Sequence, residues 1–335
     1  MGRSRSQAGS RQGAATIVDV AARAGVHAGT VSRALSQPDR VAPATRDRIA
    51  AAVTELGFVP NRAARGLITG RTGNIAVIVP DITNPTFATT IRAVGRAALA
   101  SGRHILLVDT GEDRDEEAWA VRSLAPDVDG FIVVSPRQLH RRPDVLGTKP
   151  AVFVNRPDTT HPSVLLRSAA AVADAVRHLH ALGHRKVAFL GGPKGSWAAS
   201  ERRTAVRATS RGAGIEVVDI PVAAPIVEAA TAVVPHVLAT RVTAVLAFND
   251  QMALGLISGL AAAGVRVPED VSVVGCDDIP IAALIAPALT TIAMPAADAG
   301  AHALALLGSA PTSVELHASF VVRSSTAARS GRRAR

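Results

Sequence analysis

Tyrosine is absent from this chain of 335 residues, and aromatic residues together make up only 3%. Hydrophobic residues reach 48%, so the interior must be built from Ala, Val, Leu and Ile. Cysteine occurs once, at Cys276. That excludes an intrachain disulfide and suits a reducing cytoplasm. No apolar run approaches the roughly 18 residues that a membrane span needs. The amino terminus, "MGRSRSQAGSRQGAAT", has arginines with no apolar stretch behind them, so it does not read as a secretory signal. Gly2 and Ser6 fit a myristoylation pattern only formally, as a short match inside a tail rich in Ser, Arg and Gly.

Acidic residues are scarce at both ends. Residues 1–71 carry eleven Arg against four acids, and residues 323–335 carry five Arg and no acid. The net charge of +10 therefore sits on the ends of a body whose own balance is −2. Such a distribution is the electrostatic footprint of a nucleic-acid-binding head on a body with another task. Residues 1–15 and 327–335 are low in complexity and read as basic tails.

Residues 16–71 are strongly patterned, as three short helices and a fourth segment. "TIVDVAARAG" opens on a Thr N-cap, has an Asp in its first turn and stops at Gly25. "HAGTVSRAL" follows after a connection short enough for a helix-turn-helix corner. "APATRDRIAAAVTELG" is a third helix, with Pro43 in its first turn and Gly57 at its end. Then "FVPNRAARGL" leads out through Pro60.

From residue 72 the pattern alternates between short apolar runs and Ala-rich helical segments. Strands are predicted at 75–79, 105–109, 131–134, 152–155, 187–190, 217–220, 244–248 and 271–275. Helices are predicted near 85–101, 114–124, 168–182, 198–213, 226–239, 250–263 and 296–307. Continuous apolar strands separated by helices imply parallel sheets covered on both faces. The length favours two lobes over one large sheet. Ligands in such folds bind beyond the carboxyl ends of the strands, where Asp109, Ser135, Asn155, Asn249 and Asp277 cluster.

These residues resemble a known family. "TIVDVAARAGVHAGTVSRAL", "HLHALGHRKVAFLGGP", "AVLAFNDQMALG", "VRVPEDVSVVGCDDI", "PALTTIAMPAADAG" and "FVVRSST" occur in the order found in bacterial transcriptional regulators of the LacI/GalR type, over about residues 16–326. The resemblance implies a small all-α helix-turn-helix DNA-binding head and hinge helix. These join an α/β, two-lobed, periplasmic-binding-protein-like body with parallel sheets. The head would span 16–60, the hinge and linker 61–71, and the effector-binding and dimerisation body 72–326. Within the body, the N-lobe would comprise 72–166 and 294–310, and the C-lobe 167–290 and 311–326.

The resemblance also implies a cytoplasmic homodimer on double-stranded, pseudo-palindromic operator DNA, associated with the nucleoid. A sugar-like effector would set operator affinity, with a nucleoside, purine or phosphosugar co-repressor as the alternative. A solute-binding protein is the remote alternative, against which residues 16–71 argue. An enzyme on the same fold would need a catalytic pair that the sequence does not offer, and no cofactor is expected. No heptad segment follows residue 326 to build a tetramer.

In the head, the second helix would enter the major groove. Thr16, His27, Thr30 and Ser32 are expected at phosphates, which position without specifying sequence. Arg33 is the long side chain placed to read guanine. Ala28 could touch a thymine methyl, while Gly29 permits only close approach. By position in the family's hinge, Leu67 would wedge a central base step in the minor groove, with Ala64 beside it and Asn61 and Arg62 near the backbone. Discrimination would then rest on the operator's centre more than on its flanks.

In the body, the family's motif positions place Phe87, Asn155, Arg202, Asn249 and Asp277 against the effector. Arg167 stands where an acid is common, a charge reversal that raises the case for an anionic effector unless the side chain points to solvent, the equal alternative. His178, His180 and His184 read as C-terminal capping rather than a metal site. "GGPKGS" lacks the order of a phosphate-binding loop. Cys276 beside Asp277 has no histidine partner visible in the sequence.

Overall fold

The computed structural model describes residues 15–59, 71–139 and 143–329. The chain divides into two units, 1–72 and 73–335.

Among the described residues, the first unit holds three helices, α1 (Ile17–Ala24), α2 (Ala28–Ser36) and α3 (Pro43–Leu56), with a 3-10 turn at Pro38–Arg40. Thr16 starts α1 through a capping box. Its hydroxyl accepts from the Asp19 N–H, and the Asp19 carboxylate takes the Thr16 N–H in return. Gly25 in the left-handed conformation ends α1, and the three residues 25–27 make the corner into α2. Val20, Ala24, Val31, Ala34, Ile49 and Ala52 meet in the core, with Leu56 and Phe58 at its edge. The Arg23–Glu55 pair ties α1 to α3 at 2.7 Å, but both side chains are more than half exposed, so it contributes only about 0–1 kcal/mol. Burial of the apolar side chains holds this unit together.

The second unit has two parallel sheets. β1 (Asn74–Val79), β2 (His104–Asp109), β3 (Gly130–Val134), β4 (Ala151–Val154), β5 (Ser163–Arg167) and β11 (Ser313–His317) form the N-lobe sheet in the order β11-β5-β4-β3-β1-β2. β6 (Lys186–Leu190), β7 (Glu216–Ile220), β8 (Ala244–Ala247) and β9 (Ser272–Val274) form the C-lobe sheet in the order β7-β6-β8-β9. β10 (Thr291–Ala293) and β12 (Ser319–Val321) pair antiparallel beside them. Alternation explains the apolar runs. In β1, Ile75, Val77 and Val79 enter one core while Ala76 and Ile78 enter the core on the opposite face. In β8, Val245 and Ala247 face one side and Ala244 and Leu246 the other.

Helices cover these faces: α4 (Pro85–Ala100), α5 (Arg114–Leu124), α6 (Pro143–Leu146), α7 (Ala169–Ala181), α8 (Trp197–Gly212), α9 (Val227–Ala232), α10 (Val234–Ala239), α11 (Asp250–Ala262) and α12 (Ala296–Leu306). The chain passes between the lobes three times, from β5 to α7, from β10 to α12 and from β11 to β12.

All eight predicted strands are present. Two expectations need correction. The helix expected over 226–239 is two helices, because Pro235 follows at the second position of α10 and cannot donate into a continuous ladder. The allocation of 311–326 to the C-lobe fails for β11, which hydrogen-bonds in parallel to β5 of the N-lobe sheet over the register Ser313↔Ser163 to His317↔Arg167.

Candidate functional site

On α2, Val31 and Ala34 are buried in the head core, and this fixes which face is outward. Gly29, Arg33 and Ser36 form an exposed stripe at helical spacing, with Thr30 and Ser32 half-buried at its flanks. Arg33 makes no hydrogen bond or ion pair with another described residue, so its guanidinium is available. His27 is the N-cap but supplies no side-chain cap bond. The Thr30 N–H turns back to the His27 carbonyl at 2.8 Å, so the Ala28 and Gly29 N–H groups, with the dipole behind them, are the ones that stay open to an anion.

Two of the expected contacts change. Thr16 donates both its N–H, at 2.8 Å, and its hydroxyl, at 2.7 Å, to Asp19. Its donors are spent on the cap rather than free for phosphate. Ala28 is half-buried and packs on the head core, so of the sparse pair only Gly29 is outward. Ser36 lies on the exposed stripe unforeseen, its hydroxyl donating to the Ser32 carbonyl at 2.8 Å. Asn61, Arg62, Ala64 and Leu67 lie outside the described residues.

In the body, a cleft of about 580 Å³, counting its open mouth, lies between the carboxyl ends of the two parallel sheets. Ser135 follows β3, Asn155 follows β4, Phe248 follows β8 and Asp277 lies three residues beyond β9, and all four line it. Phe87 reaches it from α4 and Arg202 from α8. Phe87, Asn155, Arg202 and Asp277 are thus brought together as expected.

The backbone here is strained. Six described residues other than glycine have positive φ, and four of them, Glu112, Ser135, Asn155 and Asp277, line the cleft. Each such residue costs roughly 1–3 kcal/mol, and strain of this kind persists where it aims side chains at a ligand.

Two guanidinium–carboxylate pairs face each other across the lobes. Arg202 donates to the Phe248 carbonyl and stands 3.5 Å from Asp277, with its guanidinium 4.8 Å from the centre of the Phe248 ring. The ring presses on the backbone opposite, where a Cβ on Gly192 would strike it. On the other wall, Arg137 binds both oxygens of Glu112, at 2.6 and 2.7 Å, and donates to the Ser135 carbonyl at 2.7 Å. Glu117 secures this loop from behind by accepting the N–H groups of Arg137 and Gln138, each at 3.0 Å. Burial raises the Glu117 carboxyl above its ordinary value, against the pull of those donors. The Glu112–Arg137 pair was not foreseen. Its members lie 25 residues apart on different connections, and no local pattern joins them.

Burial dominates the acids beside the cleft. It pushes Asp277 up to about 6, with Arg202 opposing. It pushes Asp250 up to about 7, with the Asp277 charge adding to the effect. Asp250 accepts from the Thr291 hydroxyl and, at 2.9 Å, from the Ile279 N–H. The backbone just after β9 passes so close that a Cβ on Gly275 would strike this carboxylate. Burial also lifts the Cys276 thiol well above its usual range, which argues against a nucleophile there.

Two expectations fail in the body. Asn249 does not line the cleft: its carbonyl accepts the Met252 N–H at the start of α11, and its amide donates to the Pro225 carbonyl at 2.9 Å. Arg167 carries no surplus charge into the cleft, because Glu201 and Glu315 stand 3.6 and 3.8 Å from it and Trp197 lies beneath it. The histidines end their helix as expected: His178 and His180 lie in its last turn, and the His184 N–H donates to the Leu179 carbonyl at 3.0 Å. His178 meets the Thr326 hydroxyl at 3.0 Å, His184 meets Thr243 at 2.8 Å and the Ala327 carbonyl at 3.2 Å, and Arg185 takes the His180 carbonyl at 2.9 Å. Among the described residues, no group of three or more His, Cys, Asp or Glu could hold a metal ion.

A helix-turn-helix head and a two-lobed body with a polar cleft define an effector-responsive DNA-binding regulator. The comparisons agree. The chain matches the description "Bacterial regulatory proteins, lacI family" over residues 16–61 and "Periplasmic binding protein-like domain" over residues 176–326. The HTH-type transcriptional repressor CytR of Escherichia coli (strain K12) is 32% identical over 303 residues, covering 88% of this chain and 89% of the relative. A lac repressor dimer bound to operator and the anti-inducer ONPF aligns with a TM-score of 0.85 at 28% identity, covering 94% of this chain and 99% of that one. A CelR–cellobiose complex aligns with a TM-score of 0.69 at 30% identity, covering 93% and 99%. The chain belongs to the LacI family of bacterial transcriptional regulators.

Proposed function

We propose that this protein is a homodimeric repressor that binds a pseudo-palindromic operator, and that a sugar-like effector in the cleft sets its operator affinity. One observation carries the reading. A head with an open recognition helix shares its chain with a cleft in which buried polar atoms, Asn155 Oδ1 and Arg202 Nε among them, have no hydrogen-bond partner. Buried polar groups left unpaired in a native cleft await a ligand.

Arg33 reads a base, while His27, Thr30 and Ser32 position the helix on phosphate. Asn61, Arg62, Ala64 and Leu67 bind the minor groove at the operator's centre. Phe87, Asn155, Arg202 and Asp277 hold the effector. A protein acting on operator DNA works in the cytoplasm at the nucleoid, and it performs no catalysis.

Operator selection from a randomised duplex pool, followed by fluorescence anisotropy, tests this reading. A two-fold symmetric consensus with at least a hundredfold preference over scrambled DNA is expected. Binding without sequence preference would reject it.

A further inference from the structure

We propose that the effector is an uncharged, hydroxyl-bearing molecule, and that the Glu112–Arg137 pair is the element that rejects charged ones. The inference rests on the cleft being the effector site and concerns the chemistry it admits.

Four charged side chains line the cleft: Glu112, Arg137, Arg202 and Asp277. They occur as two closed pairs, one on each lobe. The lining therefore carries two cations, two anions and no surplus of either sign. Arg137 is 8% exposed and fixed on three sides, by Glu112, by the Ser135 carbonyl and through its own backbone by Glu117. An entering phosphate or carboxylate would have to displace Glu112 from Arg137, or Asp277 from Arg202. Either exchange leaves a carboxylate in a partly dehydrated cleft without its cation, and that penalty exceeds what an equivalent new ion pair returns. A neutral ligand displaces nothing.

What remains free points the same way. Asn155 Oδ1 is a buried acceptor lacking a donor, and Arg202 Nε is a buried donor lacking an acceptor. A hydroxyl group serves either atom. Much of the remaining wall is apolar, including Phe87, Val134, Val154, Leu166, Phe248 and Met294. A ring bearing hydroxyls on its edge and an apolar face, such as a sugar or nucleoside, fits this division. Arg114 and Arg156, which donate to the Lys194 and Gly195 carbonyls at 3.3 and 3.5 Å, stand outside the lining.

The test is equilibrium dialysis of the full chain against three matched pairs: D-ribose and ribose 5-phosphate, D-glucose and glucose 6-phosphate, adenosine and adenosine 5′-monophosphate. Retention is read by mass spectrometry for the wild type and Glu112→Gln. The wild type should retain an uncharged member at least tenfold more than its phosphate ester. Glu112→Gln, which frees the Arg137 charge, should shrink that ratio at least threefold. Equal or stronger retention of a phosphate ester by the wild type overturns the inference and leaves the effector site standing. An unchanged ratio in Glu112→Gln overturns the role of the pair. Retention of none of the six overturns both the inference and the reading beneath it.

Discussion

Arg202 reaches Asp277 at 3.5 Å with both side chains almost sealed from water, so each is the other's main protection against an unpaired buried charge. Removing one partner should destabilise the body by about 3–5 kcal/mol. Replacing both, as Arg202→Met with Asp277→Leu, should recover most of that loss in urea unfolding while abolishing the effector response. Equal stability of the single and double variants would contradict the pairing.

Asp250 and Asp277 give the body a pH profile with a definite sign. Both folded-state values, about 7 and about 6, lie above the ordinary carboxylate value of 3.8. Folding therefore takes up protons, and the associated stability is complete below pH 3.8 and lost as pH rises through 6 and 7. The melting temperature should fall between pH 5 and pH 8, and Asp250→Asn should flatten the fall. Differential scanning calorimetry across that range decides it, and a steeper fall in Asp250→Asn would refute the assignment.

Arg33 is outward on α2 and pairs with no other described residue, so Arg33→Ala should leave the head folded. Specific operator binding should weaken by about 1–3 kcal/mol, with relaxed preference at one base position in each half-site. A uniform loss across sequences, with a salt dependence lowered by about one phosphate, would make Arg33 a phosphate contact instead.

Gly29 has open space where a Cβ would stand. Gly29→Ala should stabilise α2 by about 0.5–1 kcal/mol without altering the selected consensus. Gly29→Gln places an amide on the outward stripe and should create a new base preference in an operator selection. An unchanged consensus would show that α2 does not approach the bases at that turn.

Thr16 works inside the chain. Thr16→Ala removes the capping box and should cost the head about 1 kcal/mol in thermal unfolding. The salt dependence of operator binding should not change, because the Thr16 donors already belong to Asp19. A shallower salt slope would restore Thr16 as a phosphate contact.

The elements most legible in the sequence were those whose burial is local and uniform. β3, β4 and β8, and β1 beyond Asn74, are apolar because both faces are covered. β11, "SVELH", alternates between exposed and half-buried residues at a sheet edge, and β10 and β12 have three residues each, so none carried a clear pattern. In the cleft, Phe87, Asn155, Arg202 and Asp277 follow from motif position. The neutralisation of Arg167 by Glu201 and Glu315, and the closure of Arg137 on Glu112, depend on which connections the fold brings side by side. Asn249 misled for another reason: an Asn ahead of a helix can face a ligand or cap the helix, and here the backbone claims it.

The two lobes are joined by three strands of chain rather than one. A single tether would let each lobe swivel, slide and tilt independently. Three side-by-side tethers resist twisting and shear together and leave bending about one axis as the soft motion. Whatever the cleft binds, its message can then leave the body only as an angle.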